Sequence, residues 1–400
     1  MTTLQRILDK PRSFAARGWL FQIHLWVGVL LALYAVLIGL TGSALVFYPQ
    51  IRNWQDSDVL SVSDSGVRLN PDQIIASVNA FQPGVHIMSL RMPAEPLSTF
   101  RLSTGQMGRG KEIYVHPFTG RVLAVRVPRH DFLHWLQRLH FDLLADKTGR
   151  LVNASAGLLM VVLAITGIII WWPGRSLWRR ALKINTATKW KRLNYDIHNS
   201  LGFFSMAFAV LISLTGAYYG WPKETQELLS RVSPVRQKAP APKIPTAKHE
   251  SHPLPLTQLT AIAHSQFPHA WVSTISFPHQ HGQPYRFTLL ESGPRQYQWS
   301  NAVYLDPASG RVLRLDAVAG RSFGDAIIAW IPPLHFGSFA GGNYVATLWL
   351  LLGLTPAILG ASGLLMWWNR VLVKKLWRWR ATTHHPAEPF PVDAIRAQNR

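Results

Sequence analysis

The sequence contains no cysteine, and this single absence removes several kinds of chemistry. Disulfide bonds, thiolate zinc sites and cysteine-ligated iron–sulfur clusters are excluded. Histidine is left as the expected protein ligand for any soft or borderline metal. The sequence also lacks a G-x-G-x-x-G motif, so a nicotinamide nucleotide site is not indicated.

Acidic residues are scarce: 20 Asp and Glu stand against 41 Lys and Arg, which gives a formal net charge of +21. Such an excess could indicate a nucleic-acid partner. However, no helix-turn-helix or zinc-finger pattern accompanies it, and much of the basic charge flanks long apolar runs. We therefore expect no nucleic acid as a partner. The uneven hydrophobicity instead favours a membrane protein with extramembrane segments.

Four apolar runs are long enough to cross a hydrocarbon core, which takes roughly 20 helical residues. They predict transmembrane helices at 24–48, 151–172, 198–221 and 344–368. Pro356 interrupts the fourth run, where we expect a kink. The first run follows a basic start but is too long for a signal peptide, so we expect an uncleaved transmembrane helix.

Lysine and arginine cluster before the first run, between the second and third, and after the fourth. The positive-inside rule then predicts that both termini and the middle loop are cytoplasmic. The predicted organisation is a cytoplasmic N-terminus (1–23), a first span (24–48), an outer module (49–133), a histidine segment with the second span (134–172), a basic loop (173–197), a third span (198–221), a linker with a second outer module (222–326), a histidine segment with the fourth span (327–368) and a cytoplasmic tail (369–400).

Three stretches of the first half return in the second half. Residues 23–42, IHLWVGVLLALYAVLIGLTG, recur at 197–216 as IHNSLGFFSMAFAVLISLTG, and YVHPFTGRVL at 114–123 recurs at 304–313 as YLDPASGRVL. The triplet Leu-His-Phe precedes both the second and the fourth span. The pattern predicts a tandem duplication of helix, outer module, histidine and helix. Because each unit crosses the membrane twice, the two units should be parallel repeats about an axis along the membrane normal.

Each outer segment also has the pattern of a small α+β module, with one helix on an antiparallel sheet. The helices are predicted at 71–81 and 254–268, and strand-like runs follow at 86–92 and 271–277. The repeated ten-residue stretches each predict a strand, a Pro/Gly turn and a second strand. His116 and Asp306 occupy equivalent turn positions, so we interpret them as structural turn residues.

The predicted orientation sorts four histidines into two layers. His24 and His198 begin spans that leave the cytoplasm, whereas His140 and His335 precede spans that return to it. A two-fold arrangement would bring the members of each pair together across a four-helix bundle. Two facing imidazoles are the axial ligands that a six-coordinate haem needs, so the pattern predicts two haems. The alternative is that each histidine snorkels at the interface or is satisfied by backbone groups.

Two further features lie close to these histidines. His134 has Ala329 as its repeat counterpart and is a weaker ligand candidate, or an interfacial or substrate-side residue. Thr-Gly pairs at 41–42, 166–167 and 215–216 correspond to a Ser-Gly pair at 362–363. Small residues of this kind are typical of close helix packing, and we prefer that interpretation to haem contact.

A substrate surface is predicted where each outer module joins its returning helix. Trp135, Trp330 and Phe336 offer apolar contacts, and Arg138 could bind carboxylate or hydroxamate oxygens. The alternative is that these side chains form an interfacial belt and that Arg138 meets lipid phosphate. A substrate that does not bind there would dock between the two outer modules.

Together, the repeated strand motifs, the IH…LTG spans and the LHF triplets resemble the PepSY-associated transmembrane helix family over residues 15–370. Its inner-membrane members include ferrioxamine-type siderophore reductases. The resemblance implies four membrane helices, two periplasmic PepSY modules, and haem b held by His24, His198, His140 and His335. It further implies one-electron reduction of ferric siderophores in the periplasm.

The resulting hypothesis is an inner-membrane oxidoreductase that carries electrons outward to a ferric siderophore or another ferric chelate. Its electron donor would be a quinol, a flavin or another protein, and membrane lipid would surround its helices. The rival hypothesis has no redox activity: the PepSY modules bind a peptide, a protease or a metal, and the helices only anchor them.

Overall fold

The computed structural model describes residues 9, 15–105, 110–127, 131–236, 240–244, 253–280, 282–291, 300–340 and 343–373. Most of the predicted cytoplasmic tail, 369–400, lies outside the described residues, as do parts of the N-terminus and of the linker. The chain divides into two compact units. The first comprises Met1–Gly39, Leu159–Ala209 and Leu354–Arg400, and the second comprises Leu40–Leu158 and Val210–Gly353.

Helices and strands follow one another in two similar series. The first series is α1 (Arg17–Leu45), α2 (Tyr48–Gln55), α3 (Ser57–Leu60), α4 (Pro71–Phe81), β1 (Ser89–Arg91), β2 (Phe100–Ser103), β3 (Glu112–Val115), β4 (Val122–Arg126), α5 (Phe132–Asp142) and α6 (Asp146–Trp171). The second is α7 (Trp178–Ala181), α8 (Trp190–Gly220), α9 (Pro222–Ser230), α10 (Leu256–Gln266), β5 (Ala270–Ser276), β6 (Tyr285–Glu291), β7 (Ser300–Leu305), β8 (Val312–Asp316), α11 (Phe323–Phe336), α12 (Asn343–Gly353), α13 (Thr355–Trp367) and a π-helix (Trp368–Leu372).

Four helical stretches are long and apolar enough to cross a membrane: α1, α6, α8 and the stretch Asn343–Leu372. The last is broken between α12 and α13, immediately before Pro356, which confirms the predicted interruption. Proline lacks a backbone N–H and is tolerated in the first turn of a helix, where it lies here. These helices, with the sheet described below, make the chain a membrane protein with an α+β region.

Helices α1 and α8 begin earlier in the chain than the predicted spans 24–48 and 198–221. His24 lies about two turns inside α1, and His198 lies about two turns inside α8, rather than at the start of each span. In α1 the extension is held by Arg17, whose guanidinium donates to the backbone carbonyls of Ile170 and Trp172. These carbonyls lie at the end of α6, where the last turn of a helix leaves C=O groups without intrahelical partners.

Within the first compact unit, close helix contacts depend on small residues. A Cβ added at Gly360 of α13 would lie 2.7 Å from the carbonyl oxygen of Ala32 in α1. On α6, Trp171 packs against Phe203 of α8, with ring centroids 4.8 Å apart. Close backbone approach at small residues is a common way for membrane helices to associate.

The strands of the second unit form one antiparallel sheet in the order β4-β3-β2-β1-β5-β6-β7-β8. This differs from the prediction of two separate modules, because β1 pairs with β5 and joins two four-stranded halves. Leu90 lies opposite Ile275 across this junction, and both side chains are fully buried. The pairing removes two edge strands whose unpaired backbone groups would otherwise remain open.

Helices α4 and α10 cover one face of the sheet and form its hydrophobic core. Ile74 and Val78 of α4, with Leu259 of α10, pack against Phe100 and Phe287, and all five side chains are fully buried. The predicted helix at 71–81 is confirmed, and the second helix is shorter than its predicted range of 254–268. A capping box between Asn70 and Gln73 fixes the start of α4.

The two repeated hairpin turns are built in the same way, which confirms the structural role predicted for their polar residues. His116 Nδ1 accepts hydrogen bonds from the backbone N–H groups of Phe118 and Thr119, each at 3.3 Å. Asp306 Oδ1 accepts from Ala308 at 2.9 Å and Ser309 at 3.2 Å. Each side chain thereby satisfies two turn donors.

Asp72 of α4 ties the two halves together by capping the start of α10. Its carboxylate accepts hydrogen bonds from the backbone N–H groups of Leu256 (2.7 Å) and Thr257 (2.8 Å) and from the Thr257 hydroxyl (2.6 Å). Burial opposes ionisation, but these bonds lower the pKa of Asp72 below its ordinary value of 3.8. The contribution to stability is therefore complete above that ordinary value and is lost as the pH falls through the lower, folded value.

We expect Asp72→Ala to speed amide hydrogen exchange in the first turn of α10 roughly fivefold at neutral pH. A lost helix cap costs about 1 kcal/mol, which corresponds to that factor. Hydrogen-exchange mass spectrometry of the full-length protein measures the effect, with the exposed Glu95→Ala as a control of equal charge change. Unchanged exchange in Asp72→Ala would show that α10 is held by its core contacts alone.

Candidate metal centres

In the first compact unit, two buried histidines each contact a hydroxyl on a neighbouring helix. His24 Nδ1 lies 3.1 Å from Thr166 Oγ1, and His198 Nδ1 lies 2.8 Å from Ser362 Oγ. The two imidazoles are also near enough to interact electrostatically. The structure therefore places the predicted inner pair together.

The second unit contains the same arrangement around the other pair. His140 Nδ1 lies 3.0 Å from Thr41 Oγ1, and His335 Nδ1 lies 2.9 Å from Thr215 Oγ1. Burial, and next the nearby His140, lower the pKa of His335 to about 3, so this imidazole is neutral at physiological pH. A neutral imidazole is the form that binds a metal.

The hydroxyl contacts determine which ring nitrogen carries the proton. Thr166 Oγ1 donates its only hydrogen to the Val162 carbonyl at 2.7 Å, and Thr215 Oγ1 donates to the Leu211 carbonyl at 2.7 Å. A hydroxyl that has donated its hydrogen can only accept from the histidine. Nδ1 must therefore carry the proton, which leaves a lone pair on Nε2 for a metal. Second-shell bonds of this kind fix the orientation and tautomer of metal-binding histidines.

Each of these hydroxyl residues is followed by a glycine that faces the same imidazole. A Cβ added at the glycine would approach the histidine Cε1 within these distances: Gly42 to His140, 2.7 Å; Gly167 to His24, 3.1 Å; Gly216 to His335, 3.3 Å; Gly363 to His198, 3.3 Å. The Thr-Gly and Ser-Gly pairs were predicted to serve helix packing. The structure shows that both members of each pair lie against a histidine ring of a neighbouring helix, and their fourfold recurrence was the available signal.

The helices that carry the outer histidines are tied to the spans that follow them. The Asn153 side-chain amide donates to the carbonyls of His140 (2.7 Å) and Phe141 (3.1 Å). Trp349 Nε1 donates to the Leu334 carbonyl at 2.8 Å. These bonds satisfy C-terminal carbonyls of α5 and α11 and fix the backbone beside each histidine.

The corner between α5 and α6 has an uncommon backbone conformation. Leu143, Leu144 and Asp146 all have positive φ angles, of 50°, 61° and 49°. Residues other than glycine rarely adopt this region, and such strain concentrates near functional sites. Gly149 is required here, because a Cβ would lie 1.8 Å from the Asp142 carbonyl oxygen. The corner follows directly after His140.

The weaker candidates on α5 are His134, Trp135 and Arg138, and their described contacts do not include the outer histidines. No hydrogen bond to His134 is found within the described part of the chain, and burial, followed by Arg138, lowers the pKa of His134. Arg138 pairs with Asp142 at 3.6 Å and Asp146 at 3.1 Å, so its guanidinium already has carboxylate partners. Trp135 is 45% exposed and stacks on Phe132.

The predicted apolar contacts on α11 are also accessible. Trp330 is 36% exposed and Phe336 is 54% exposed. Phe336 and Tyr219 both contact the ring of His335, each with centroids 5.5 Å from it. Phe336 therefore lies beside one outer histidine, whereas Arg138 forms ion pairs with Asp142 and Asp146.

The donor set limits which metal group these histidines could hold. Among the described residues, no group of three or more His, Asp or Glu side chains could hold a metal ion. Structural and catalytic zinc sites need three or four protein ligands. Paired imidazoles, each with its Nδ1 beside a hydroxyl, instead fit a group that brings its own equatorial ligands, as haem does.

Comparison with known proteins gives one family. The family model described as "PepSY-associated TM region" matches residues 21–370, which include all four histidines and their hydroxyl partners. A search of curated proteins found no match.

Proposed function

The chain belongs to the PepSY-associated transmembrane family, and on that premise we propose that it is an inner-membrane haem b oxidoreductase. It carries electrons across the membrane and reduces ferric siderophore, or another ferric chelate, in the periplasm. The family match supports a membrane protein of this class. The redox role rests on the histidine geometry described above.

The proposal rests on the surroundings that the four imidazoles share. Each has its Nδ1 within hydrogen-bonding distance of a hydroxyl and a glycine against its Cε1. We infer that His24 and His198 would hold one haem and that His140 and His335 would hold a second. Haem, when bound, supplies a one-electron Fe(III)/Fe(II) couple. The hydroxyl residues orient the imidazoles, and the glycines leave the ring edges room.

The finer organisation is part of the same proposal. We infer that the two halves of the sheet are PepSY modules that arose by tandem duplication and lie in the periplasm. Both termini and the loop that contains α7 would then be cytoplasmic. Arg179 and Arg180 lie in α7, as expected of a cytoplasmic loop under the positive-inside rule.

Reduction would release iron because hard oxygen ligands hold Fe(III) more tightly than Fe(II). The chain needs to supply an electron path, an appropriate reduction potential and a docking surface, since the redox chemistry belongs to the cofactor. A quinol, a flavin or another protein would be the donor.

The test is the visible spectrum of the full-length protein, purified in detergent from cells supplied with haem. We expect a Soret band, with sharp α and β bands after dithionite reduction, because two imidazoles make haem iron six-coordinate and low-spin. Ferric chelate should then reoxidise the protein and yield Fe(II), which a ferrous chromophore traps. The gallium(III) form of the same chelate is the control, since it cannot accept an electron. A colourless, folded preparation would overturn the proposal.

A further inference from the structure

The face of the sheet opposite α4 and α10 is polar, and basic residues occupy its centre. Arg91 of β1 and Arg101 of β2 lie directly opposite each other in register. On the other half, Arg286 of β6 lies opposite Ser276, which belongs to the strand that joins the halves. Their strand neighbours Leu90, Leu102 and Phe287 point to the core, so the arginines point away from it.

These three arginines have little compensating charge. Within the described residues, the side chains of Arg91 and Arg286 have neither an ion pair nor a hydrogen bond. The Arg286 Nε is buried without a partner there. Among the described carboxylates, Glu112 alone pairs with Arg101, at 4.0 Å, and Arg52 binds it more closely, at 3.1 Å. Like charges directly opposite each other destabilise a sheet, and this pair shares only that one carboxylate among the described residues.

The arginines nearer the sheet edges are different. Arg126 of β4 pairs with Asp56 at 2.7 Å, and Arg314 of β8 pairs with Asp316 at 3.0 Å. The excess positive charge is therefore confined to the centre of the face, where the two halves meet.

Small hydroxyl side chains surround the central arginines. Thr274 lies opposite Arg91 in register, and Ser276 lies opposite Arg286. Ser89 lies opposite Ser103 on one side and Ser276 on the other. Arg91 is exposed to solvent, yet the surrounding protein and next Arg101 lower its pKa. Added negative charge beside this guanidinium would therefore be stabilised.

The basic centre lies on the side of the sheet from which α5 departs. Arg52 of α2 binds Glu112 on this face and also binds Asp131, whose side chain caps the start of α5. Arg52 therefore links this face to the start of α5, the helix that carries His140.

We propose that Arg91, Arg101 and Arg286 bind an anionic, oxygen-coordinated metal chelate on the polar face of the sheet. Arg91 and Arg286 lie on strands about 10 Å apart at the usual strand spacing, and they are also offset by two residues along the strands. That separation suits several oxygen atoms of a chelate better than one small anion. The hydroxyls add neutral donors, and guanidinium groups form strong charge-assisted bonds to anionic oxygens. The choice of a metal chelate rests on the proposed function.

The test measures binding of gallium(III) chelates, which are redox-inert, to the full-length protein in detergent. The probes are a trianionic tricatecholate complex and an uncharged trihydroxamate complex. We expect Arg91→Gln and Arg101→Gln each to weaken tricatecholate binding about tenfold, since each change removes a hydrogen bond between charged groups. Trihydroxamate binding should change less than about twofold. Arg121→Gln, in an exposed turn, is the control of equal charge change.

Equal affinity of the wild type and both variants for the tricatecholate complex would overturn the site, as would an equal loss for the two complexes. Because gallium accepts no electron, binding is measured independently of haem. If the purified protein contains no haem but the arginine variants still lose tricatecholate affinity, the anion site is supported and the proposed redox function is refuted. Inorganic phosphate, tested in parallel, should compete only weakly; full competition would show a simple oxyanion site instead.

Discussion

Purified His24→Ala protein is expected to retain about half of the wild-type haem, because the inner centre loses one axial ligand while the outer centre is untouched. His24 and Thr166 belong to one compact unit, whereas His140, His335 and Thr215 belong to the other. His335→Ala should produce the reverse loss. A pyridine haemochrome assay gives the haem content per chain, and the reduced spectrum and electron paramagnetic resonance of each variant identify the centre that remains.

The matched control is His264→Ala, which removes an exposed histidine on α10 and should leave the haem content unchanged. The two-centre arrangement would be refuted by one haem per chain that is lost equally from the His24→Ala and His335→Ala proteins. Far-ultraviolet circular dichroism and gel filtration exclude misfolding as the cause of either loss.

Much of the architecture follows from the sequence because it depends on patterns with a fixed period or a fixed length. Apolar runs of membrane-spanning length indicated four helices, and the structure contains four of that kind. The repeat offset paired His24 with His198, and the hairpin motif gave matching turns around His116 and Asp306. Each of these features is contained in a short stretch of sequence or is a repeat of such a stretch.

The contacts that define the candidate centres could not be predicted from the sequence in the same way. His24 and Thr166 are separated by 142 positions, so their contact depends on how α1 and α6 are rotated about their axes. An apolar span that faces lipid and neighbours on all sides shows no stripe to fix that rotation. The role of the hydroxyl residues therefore emerged only from the structure.

Two other differences have equally physical causes. The pairing of β1 with β5 joins distant segments, and the alternating pattern of each strand is the same whether its edge is open or paired. Arg138 was taken as a substrate contact although Asp142 stands four positions later, a spacing that predicts an ion pair on a helix. The ion pair could therefore be predicted from the sequence, and the substrate role of Arg138 stays a prediction.

Thr215→Val is expected to weaken haem retention at the outer centre about 10- to 100-fold, the usual effect of losing a second-shell partner of a metal ligand. Valine keeps the shape of threonine but removes the oxygen that lies 2.9 Å from His335 Nδ1. The imidazole then becomes a poorer electron donor, so the reduction potential of the outer centre should rise. Haem transfer to apomyoglobin measures retention, and a spectroelectrochemical titration measures the potential.

Thr215→Ser should restore both properties, because it returns the hydroxyl without the methyl group. Thr225→Val is the matched control: Thr225 also donates its hydroxyl to the carbonyl four residues earlier, that of Trp221 at 2.7 Å, but it has no contact with a histidine in the described structure. A general effect of breaking that backbone bond would appear in both valine variants. Retention and potential that are the same in Thr215→Val as in the wild type would show that the His335 ring is oriented without this hydroxyl, and the tautomer argument for Nε2 ligation would fail at that centre.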